Sequence, residues 1–464
     1  MIQTHFAIIL SGISSFLFAQ DFSYHLDPVA RLTFSSVVYS VGDTAGGSDC
    51  WGYVDRKGND YAIMGILDGT AIVRVNDLKV IATVPGPMER DPYFHRDMMT
   101  YGDYLYICHE MTGTNEGIQI IDLSTLPDSI RYVDTINRSD AGGQSANTSH
   151  NLFVDESTGM LYTVRKYANG VRLLSLKDPE KPQDVGIIET PDAHDVFSRN
   201  DTVFVAEGWN GSFSIWDAKE MKSSPSLLAR VGIPSGGYVH TVWTTADGNY
   251  LMTAEETSRR TMKIWDITNF DDIEMVGEYL GSSNLAHNIH IKHNLAFVSH
   301  YSSGAIVVDI SDPANPVEVA NFDTYTASDE STYLGAWGIY PFSPNGYVYV
   351  SNAEGHLDIL RFREESLSIH MSSETFPERI SLGNNFPNPF NGETSISVSI
   401  SSEREVSLEV FNALGIRVAT VFNGSLPAGD YSFRWQSGGM PSGIYFARLS
   451  SSSIVQSVKM LHLK

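Results

Sequence analysis

The sequence predicts an all-β protein, a seven-bladed β-propeller followed by a small immunoglobulin-like β-sandwich. One position recurs in seven look-alike stretches at intervals of 44 to 55 residues, a period typical of propeller blades. This position holds either histidine or tryptophan: Trp51, His95, His150, His194, His240, His287 and Trp337. Each of the seven residues opens an apolar run with β-like composition. The 38 glycines and many Asn-Gly, Asp-Gly and Ser-Gly pairs indicate the frequent turns of an all-β chain.

Each repeat has the pattern of four strands. In the sixth repeat the predicted strands are residues 285–291, 294–300, 305–310 and 317–322. The third strand is an aliphatic run that ends in aspartate, and a turn rich in Asp, Pro and Asn follows it. Near-continuous apolar runs are expected because neighbouring blades bury both faces of the inner strands.

The seventh repeat is one strand short, and residues 31–40 form a strand that belongs to no other repeat. We therefore predict that residues 31–40 complete the seventh blade, which closes the ring and removes exposed sheet edges. The predicted propeller spans residues 31–362. A polar linker, residues 363–382, separates it from the predicted sandwich at residues 383–464.

The N-terminus indicates export. Residues 6–18 are mostly apolar but too few to cross a bilayer as a helix, so residues 1–19 are predicted to be a signal peptide. No later stretch predicts a transmembrane helix in the mature chain. The only two cysteines, Cys50 and Cys108, are too few for a disulfide framework; an exported protein permits a bond between them, and two free buried thiols are the alternative.

The net charge of −24 argues against one class of partner. A chain this acidic repels phosphate backbones and anionic lipid, so we expect no nucleic-acid binding. The charge is compatible with a soluble exported protein and with cation binding.

The C-terminal region contains four motifs in a characteristic order. They are Asn-Phe-Pro-Asn-Pro-Phe-Asn at residues 385–391, Val-Phe-Asn-Ala-Leu-Gly at 410–415, Leu-Pro-Ala-Gly-Asp-Tyr at 426–431 and Pro-Ser-Gly-Ile-Tyr-Phe-Ala-Arg-Leu at 441–449. This order resembles the type A C-terminal sorting domain of the type IX secretion system of Gram-negative bacteria. The resemblance implies that the export machinery recognises residues 383–464. It also implies export through the periplasm, followed by secretion or attachment to the outer-membrane surface.

The repeats resemble a family of exported bacterial propellers with LVIVD-type repeats, specifically the "choice-of-anchor B" kind. The resemblance is carried by Asp-Cys-Trp-Gly-Tyr-Val-Asp at residues 49–55, Asp-Gly-Thr-Ala at 68–71, and the residues around each recurring histidine, through Gly-Ala-Trp-Gly at 335–338. It implies a propeller fold and a surface-anchoring tail, but it assigns no reaction.

In a closed propeller, equivalent positions lie on a ring, so five imidazoles are expected to converge on one mouth of the axial channel. The predicted ligand-binding residues are His95, His150, His194, His240, His287 and Trp209, whose indole can stack on a sugar. Carboxylates at the ends of the second strands are expected nearby. Imidazole and carboxylate together suit a divalent metal, with zinc, manganese or calcium as candidates. The candidate metal ligands are His150, His194, His240, His287, Glu207 and Glu255.

A structural role is the alternative for the same histidines. A polar group repeated in every blade can be satisfied in the same way each time, by hydrogen bonds that join adjacent blades.

These observations favour an exported binding module for an extracellular glycan or protein, with no catalytic residue assigned. The alternative is a metal-dependent propeller enzyme, of lyase or lactonase type, acting on extracellular carbohydrate. A purely structural surface protein is the third possibility. The fold does not decide among them, because propellers include binding proteins and enzymes.

Overall fold

The computed structural model describes residues 26–463 apart from 41–42, 88–94, 112–115, 138–147, 166–169, 220–224, 235, 284, 328–329, 364–379, 387, 401–403, 414, 428 and 452–453. The described residues contain β-strands and turns but no helix. They form two compact units, divided between Ile369 and His370. The predicted signal peptide, residues 1–19, lies outside the described residues.

The first unit contains seven four-stranded antiparallel sheets, and the all-β propeller prediction is confirmed. Blade 1 consists of β4 (Gly47–Val54), β5 (Asp60–Ile66), β6 (Gly69–Arg74) and β7 (Lys79–Pro85). Blade 2 consists of β8 (Arg96–Tyr101), β9 (Tyr104–His109), β10 (Ile118–Asp122) and β11 (Arg131–Ile136). Blade 3 consists of β12 (Ser149–Asp155), β13 (Met160–Arg165), β14 (Val171–Ser175) and β15 (Gln183–Ile188). Blade 4 consists of β16 (Asp195–Arg199), β17 (Thr202–Glu207), β18 (Ser212–Asp217) and β19 (Ser226–Gly232).

Blades 5 to 7 repeat this order. Blade 5 consists of β20 (Val239–Thr244), β21 (Tyr250–Glu255), β22 (Met262–Asp266) and β23 (Glu274–Tyr279). Blade 6 consists of β24 (Ile289–Lys292), β25 (Leu295–Ser299), β26 (Ala305–Asp309) and β27 (Val317–Phe322). Blade 7 consists of β28 (Ala336–Tyr340), β29 (Tyr347–Asn352), β30 (His356–Phe362) and, as its outermost strand, β1 (Leu26–Thr33).

The N-terminal segment closes the ring. Strand β1 pairs antiparallel with β30, and the innermost strand β28 of blade 7 contacts β4 of blade 1. The prediction that a segment before the first repeat completes blade 7 is therefore confirmed, but the strand begins at Leu26 rather than at residue 31. Residues 34–36 of the predicted strand belong to no strand, and residues 37–40 form a separate two-stranded ribbon, β2 (Val37–Ser40) with β3 (Asp43–Ala45).

The innermost strands place side chains on the axis in three layers. The recurring histidines and Trp337 form the upper layer. A register shift near the start of β4, β12, β20 and β28 gives the strand an extra residue. Such a bulge allows two consecutive residues to face the same side, and normal alternation then returns the chain to the axis two residues later. The middle layer consists of Asp49, Asp97, Asn151, Asp195, Thr241 and Asn288, and Gly338 of blade 7 lies beside Asp49. The lower layer consists of Trp51, Met99, Phe153, Phe197, Trp243, His290 and Tyr340.

The rings of the lower layer pack together as a plug. The ring centroids of Phe197 and Trp243 are 4.5 Å apart, those of Trp243 and His290 are also 4.5 Å apart, and those of Trp51 and Tyr340 are 4.8 Å apart. The repeat pattern predicted Trp51 at the recurring position, and this prediction is wrong. The strand register places Ser48 there, because Gly47 pairs with Ile66 as Ser149 pairs with Arg165.

The second unit is the predicted immunoglobulin-like sandwich. One sheet contains β31 (Ile380–Phe386), β32 (Glu393–Ile400) and β35 (Gly429–Gln436). The other contains β33 (Arg404–Asn412), β34 (Arg417–Leu426), β36 (Gly443–Ser451) and β37 (Ile454–His462). Buried apolar residues from both sheets, such as Ile396, Trp435 and Leu449, form its core. Residues 380–382, assigned to the linker from sequence, are part of β31, and residues 364–379 lie outside the description.

Candidate functional site

A cavity of about 310 Å³ opens on the axis at the upper end of the innermost strands. The side chains that line it are His95, His150, His194, Trp209, Tyr238, His240, Glu256, His287, Tyr333 and Trp337. The structure therefore brings together all six side chains that the sequence proposed for ligand binding. Their convergence follows from the ring, since each histidine occupies the start of the innermost strand of its own blade.

The imidazoles form a continuous ring. Centroid distances between successive rings are 4.1 Å for His95–His150, 4.4 Å for His150–His194, 4.2 Å for His194–His240 and 4.0 Å for His240–His287. Trp337 completes the circle, at 4.8 Å from His287 and 5.9 Å from His95. Six aromatic rings thus surround the axis at contact distance.

One nitrogen of several imidazoles is used within the fold. His194 bonds through Nδ1 to the carbonyl oxygen of His240 at 2.8 Å, and His287 bonds through Nδ1 to the carbonyl oxygen of Trp337 at 2.6 Å. Each acceptor belongs to the next blade. A carbonyl only accepts, so Nδ1 must be the protonated nitrogen, and Nε2 retains its lone pair. The structural and ligand-binding interpretations are therefore compatible, because each uses a different nitrogen.

His150 is oriented by a carboxylate. Its Nδ1 lies 2.7 Å from Oε1 of Glu110, which follows the end of β9 in blade 2. A carboxylate that accepts from one imidazole nitrogen fixes the orientation of the ring.

Burial keeps the deeper imidazoles neutral. It lowers the pKa of His287 to about 3, and it holds the pKa values of His194 and His240 well below the usual range. Neighbouring imidazoles lower these pKa values further, because a second charge in the ring is repelled by the first. At neutral pH the inner wall therefore presents hydrogen-bond acceptors rather than positive charge.

The carboxylate in the cavity is Glu256. Burial raises its pKa to about 7. Its Oε2 lies 3.9 Å from Nε2 of His240, and its Oε1 accepts a hydrogen bond from the hydroxyl of Tyr301 at 2.5 Å. The ligand atoms of His240, Glu256 and His287 all lie within 4.8 Å of one another.

The two glutamates proposed from sequence do not line the cavity. Glu207 ends β17 and is paired with Arg230 at 2.9 Å, with further bonds from Ser212 and Ser214. Glu255 ends β21 and is paired with Lys263 of the neighbouring strand. Both residues thus hold strands of one blade together. In blade 5 the chain reaches the cavity one residue after Glu255, at Glu256. The signal for Glu256 was its position directly after the end of the second strand.

Three further aromatic side chains form the mouth. Trp209 is 79% exposed and Tyr333 is 60% exposed, whereas Tyr238 packs its ring edge-on against His194 at 4.8 Å. The backbone N–H of Trp209 donates to Asp192 at 2.6 Å, which fixes the turn. Gly208 precedes it with a φ of +30°, and a Cβ there would lie 2.6 Å from the same carboxylate. Sequence analysis missed Tyr238 and Tyr333 because loop residues between repeats have no periodic signal.

Below the imidazoles, the middle layer encloses a second cavity of about 30 Å³. Asp49, Asp97 and Asp195 face it without an arginine or lysine among the lining residues. Burial raises the pKa of Asp97 to about 7 and that of Asp195 to about 6, and it raises the pKa of Asp49 well above the usual range. Repulsion by neighbouring aspartates raises the pKa values of Asp49 and Asp97 further. The cavity is therefore lined by polar groups, but burial opposes ionisation of its three aspartates.

Both cysteines are free and buried, in separate blades. Cys50 lies 3.6 Å from the carbonyl oxygen of Tyr349, and Cys108 lies 3.7 Å from that of His150. Of the two alternatives left by the sequence, the structure shows unpaired thiols.

Two family models match parts of the chain. Residues 384–463 match the secretion system C-terminal sorting domain, and residues 285–324, which include blade 6, match the LVIVD repeat. No curated protein matches the chain. Among solved structures, the β-propeller domain of Cps50 (Swd1) from Myceliophteria thermophila is similar, with 12% identity, a TM-score of 0.49, and coverage of 72% of this chain and 100% of that domain.

The sorting domain determines where the protein acts. A type IX sorting domain is recognised by the export machinery of Gram-negative bacteria, so the protein is secreted or attached to the outer-membrane surface. Within the described residues, no helix has the length and apolarity required to cross a membrane. The chain is an exported β-propeller protein with an LVIVD repeat at residues 285–324 and a type IX secretion system C-terminal sorting domain.

Proposed function

We propose that the propeller binds a small polyhydroxylated ligand, such as the terminal unit of an extracellular glycan, in the axial cavity. The observation that carries the proposal is the convergence of five histidines on a cavity of about 310 Å³. This volume lies at the lower end of the range for ligand pockets, about 300–1,000 Å³.

The hydrogen-bonding character of the wall supports a hydroxyl-rich ligand. His194 and His287 donate from Nδ1 to backbone carbonyls, so their Nε2 atoms are acceptors. The low pKa of His287, about 3, excludes a charged ring at neutral pH. Sugar hydroxyls are donors that match these acceptors, and buried acceptors discriminate strongly against ligands that lack a matching donor.

The aromatic mouth supports the same class. Trp209 and Tyr333 expose large ring faces at the entrance, although aromatic side chains are usually buried. The C–H face of a pyranose stacks on such a ring while its hydroxyls reach inward. A protein or peptide ligand would require a larger contact area than this cavity provides.

A glycan array with the purified propeller identifies candidate ligands, and calorimetry measures their affinities. Trp209→Ala is expected to weaken binding by about 10-fold or more without changing the melting temperature, because the indole is exposed. Tyr132→Ala is the matched control, since Tyr132 is an exposed aromatic residue on the outermost strand of blade 2. Absence of any glycan hit, or equal affinities for Trp209→Ala and wild type, contradicts the proposal.

One observation favours a second candidate, a metal-dependent lyase or lactonase acting on extracellular carbohydrate. It is the cluster of His240, Glu256 and His287, which combines two imidazoles with a carboxylate beside the ligand cavity. Incubation with uronate polysaccharides and lactones, with and without added metal, tests it. Formation of an unsaturated or ring-opened product in the metal-loaded sample supports an enzyme, and its absence from both samples contradicts one.

A further inference from the structure

We propose that His240, Glu256 and His287 bind one Zn²⁺ ion at the wall of the axial cavity. This zinc site deepens the proposed ligand-binding function, and it rests on that function only because both use the axial cavity. Two imidazoles and one carboxylate are a ligand set that zinc takes in sites that keep a fourth position open. Ca²⁺ fits poorly, because it takes six to eight oxygen ligands.

The spacing of the ligand atoms fits an ion. Nε2 of His240 lies 3.9 Å from Oε2 of Glu256. This is too long for a direct hydrogen bond, which spans about 2.7–3.2 Å. Two ligand atoms bound at about 2.0–2.2 Å to a tetrahedral zinc ion lie about 3.3–3.6 Å apart, so the two atoms need to approach each other by only about half an ångström. The ligand atom of His287 lies within 4.8 Å of both, so small side-chain shifts bring all three to one ion.

The imidazole of His240 is not oriented by a hydrogen bond within the described residues. Its Nδ1 is buried and has no hydrogen-bond partner in the described part of the protein. An unsatisfied buried polar atom costs about 1–3 kcal/mol. Since Nε2 makes only the long contact with Glu256, the fold leaves this imidazole without the hydrogen bonds that hold His194 and His287. An imidazole that no hydrogen bond fixes can turn to present a nitrogen to an ion shared with Glu256 and His287.

The surrounding residues hold the other two ligands in place. His287 donates from Nδ1 to the carbonyl oxygen of Trp337, which leaves Nε2 as the coordinating atom. Tyr301 donates to Oε1 of Glu256, which leaves Oε2 for the ion. Partners of this kind on the far side of metal ligands fix ring orientation and contribute about 10–100-fold in metal affinity.

The cavity supplies no competing positive charge. None of the residues that line it is a lysine or an arginine, and the deep imidazoles are neutral because they are buried. A dication at the wall therefore meets one carboxylate and two neutral donors. Its open position faces the cavity, where a hydroxyl of the bound ligand or a water molecule can occupy it.

Calorimetry of Zn²⁺ against chelator-treated full-length protein, with elemental analysis of the dialysed complex, tests the proposal. One equivalent of zinc is expected. Glu256→Gln and His287→Asn should each weaken binding by more than about 100-fold, and Tyr301→Phe by about 10–100-fold. His287→Asn keeps a donor for the carbonyl of Trp337, which protects the fold.

His293→Asn is the matched control, because it removes an exposed imidazole in the turn between β24 and β25, outside the cavity lining. Asparagine tolerates the positive φ of this position, so the variant should keep zinc affinity within about 3-fold. The site is overturned if wild type binds no stoichiometric zinc, or if Glu256→Gln and His287→Asn bind it as wild type does. Glycan binding by zinc-free protein refutes neither inference, whereas zinc binding without any glycan ligand refutes only the proposed function.

Discussion

Arg31 of the N-terminal strand and Asp358 of β30 form a two-point ion pair that fastens the last blade. Nε of Arg31 lies 2.6 Å from Oδ1 of Asp358, and Nη2 lies 2.9 Å from Oδ2. Nη2 also donates to the carbonyl oxygen of Thr324 in the turn after blade 6, at 3.0 Å. The same guanidinium therefore joins the first strand of the chain to the last two blades. Asp358, whose side chain is 1% exposed, depends on it for charge compensation.

Replacing Arg31 with methionine should destabilise the propeller by about 3–5 kcal/mol, because Asp358 then remains buried without a counter-charge and keeps only the hydrogen bond from Asn352. Arg31→Lys should recover only part of this loss, since an ammonium cannot form the planar two-point pair. Denaturant unfolding followed by tryptophan fluorescence measures the change. Arg56→Met is the control: Arg56 pairs with Asp103 at the surface with 76% of its side chain exposed, and its loss should leave the unfolding midpoint unchanged. A midpoint for Arg31→Met equal to that of wild type would contradict the role of the pair in closure.

His194 allows the structural and binding roles of an imidazole to be separated. Asparagine places a donor near the position of Nδ1 but has nothing at Nε2, whereas glutamine does the reverse. His194→Asn should keep the bond to the carbonyl oxygen of His240 and thus most of the stability, but it should weaken ligand binding. His194→Gln should lose about 1–3 kcal/mol, because the buried carbonyl loses its donor, and retain more of the affinity.

Thermal unfolding and calorimetry with the ligand from the glycan array measure these two effects. If both substitutions reduce stability and affinity to the same extent, the assignment of Nδ1 to the fold and of Nε2 to the ligand is wrong.

The sequence was sufficient for the fold because the blade pattern is repeated seven times. The recurring histidines marked the inner strands, and their spacing placed them on one rim. The register of the innermost strand of blade 1 could not be predicted from the sequence. Trp51 and Ser48 are three residues apart, and the bulge in β4 that decides which of them occupies the recurring position has no signature in side-chain type. Glu255 and Glu256 were equally hard to distinguish, since only the geometry at the end of β21 shows which carboxylate meets Lys263 and which enters the cavity.

The buried histidines should make the propeller sensitive to acid. Burial lowers the pKa of His287 to about 3 and those of His109, His290 and His300 to about 4, against about 6.5 in an unfolded chain. Between pH 4 and 6.5 these histidines therefore bind more protons in the unfolded state, so their contribution to stability rises with pH in this window and is lost as the pH falls through it. The variant His290→Asn removes one of these rings. Its free energy of unfolding, relative to wild type, should decrease as the pH rises from 4 to about 6.5 and then level off. A difference between variant and wild type that is constant over that range would refute neutral burial of His290.

The middle-layer carboxyls should have the opposite pH dependence. The pKa of Asp97 is raised to about 7, above its unfolded value of about 3.9. Its folded form binds the proton more tightly, so its contribution to stability is present at low pH and is lost as the pH rises from about 4 to about 7. Asp97→Asn removes this dependence. The free energy of unfolding of the variant, relative to wild type, should therefore increase with pH across that window and then level off.

Asp77→Asn, at an exposed turn of blade 1, is the matched control and should show no such increase, because the pKa of Asp77 is lowered by Arg74 rather than raised. A difference between Asp97→Asn and wild type that is constant from pH 4 to pH 8 would contradict the shift.

The thiols of Cys50 and Cys108 should be inert in the folded protein. Both are buried, and burial raises the pKa of each thiol well above its usual range, so almost no reactive thiolate forms at neutral pH. A thiol reagent should modify fewer than about a tenth of these groups in the native protein, and two per chain after unfolding in denaturant. The melting temperature should not change with reducing agent, since no bond between the two residues contributes to stability. Modification of the folded protein, or a lower melting temperature after reduction, would show that the blades expose or link these cysteines.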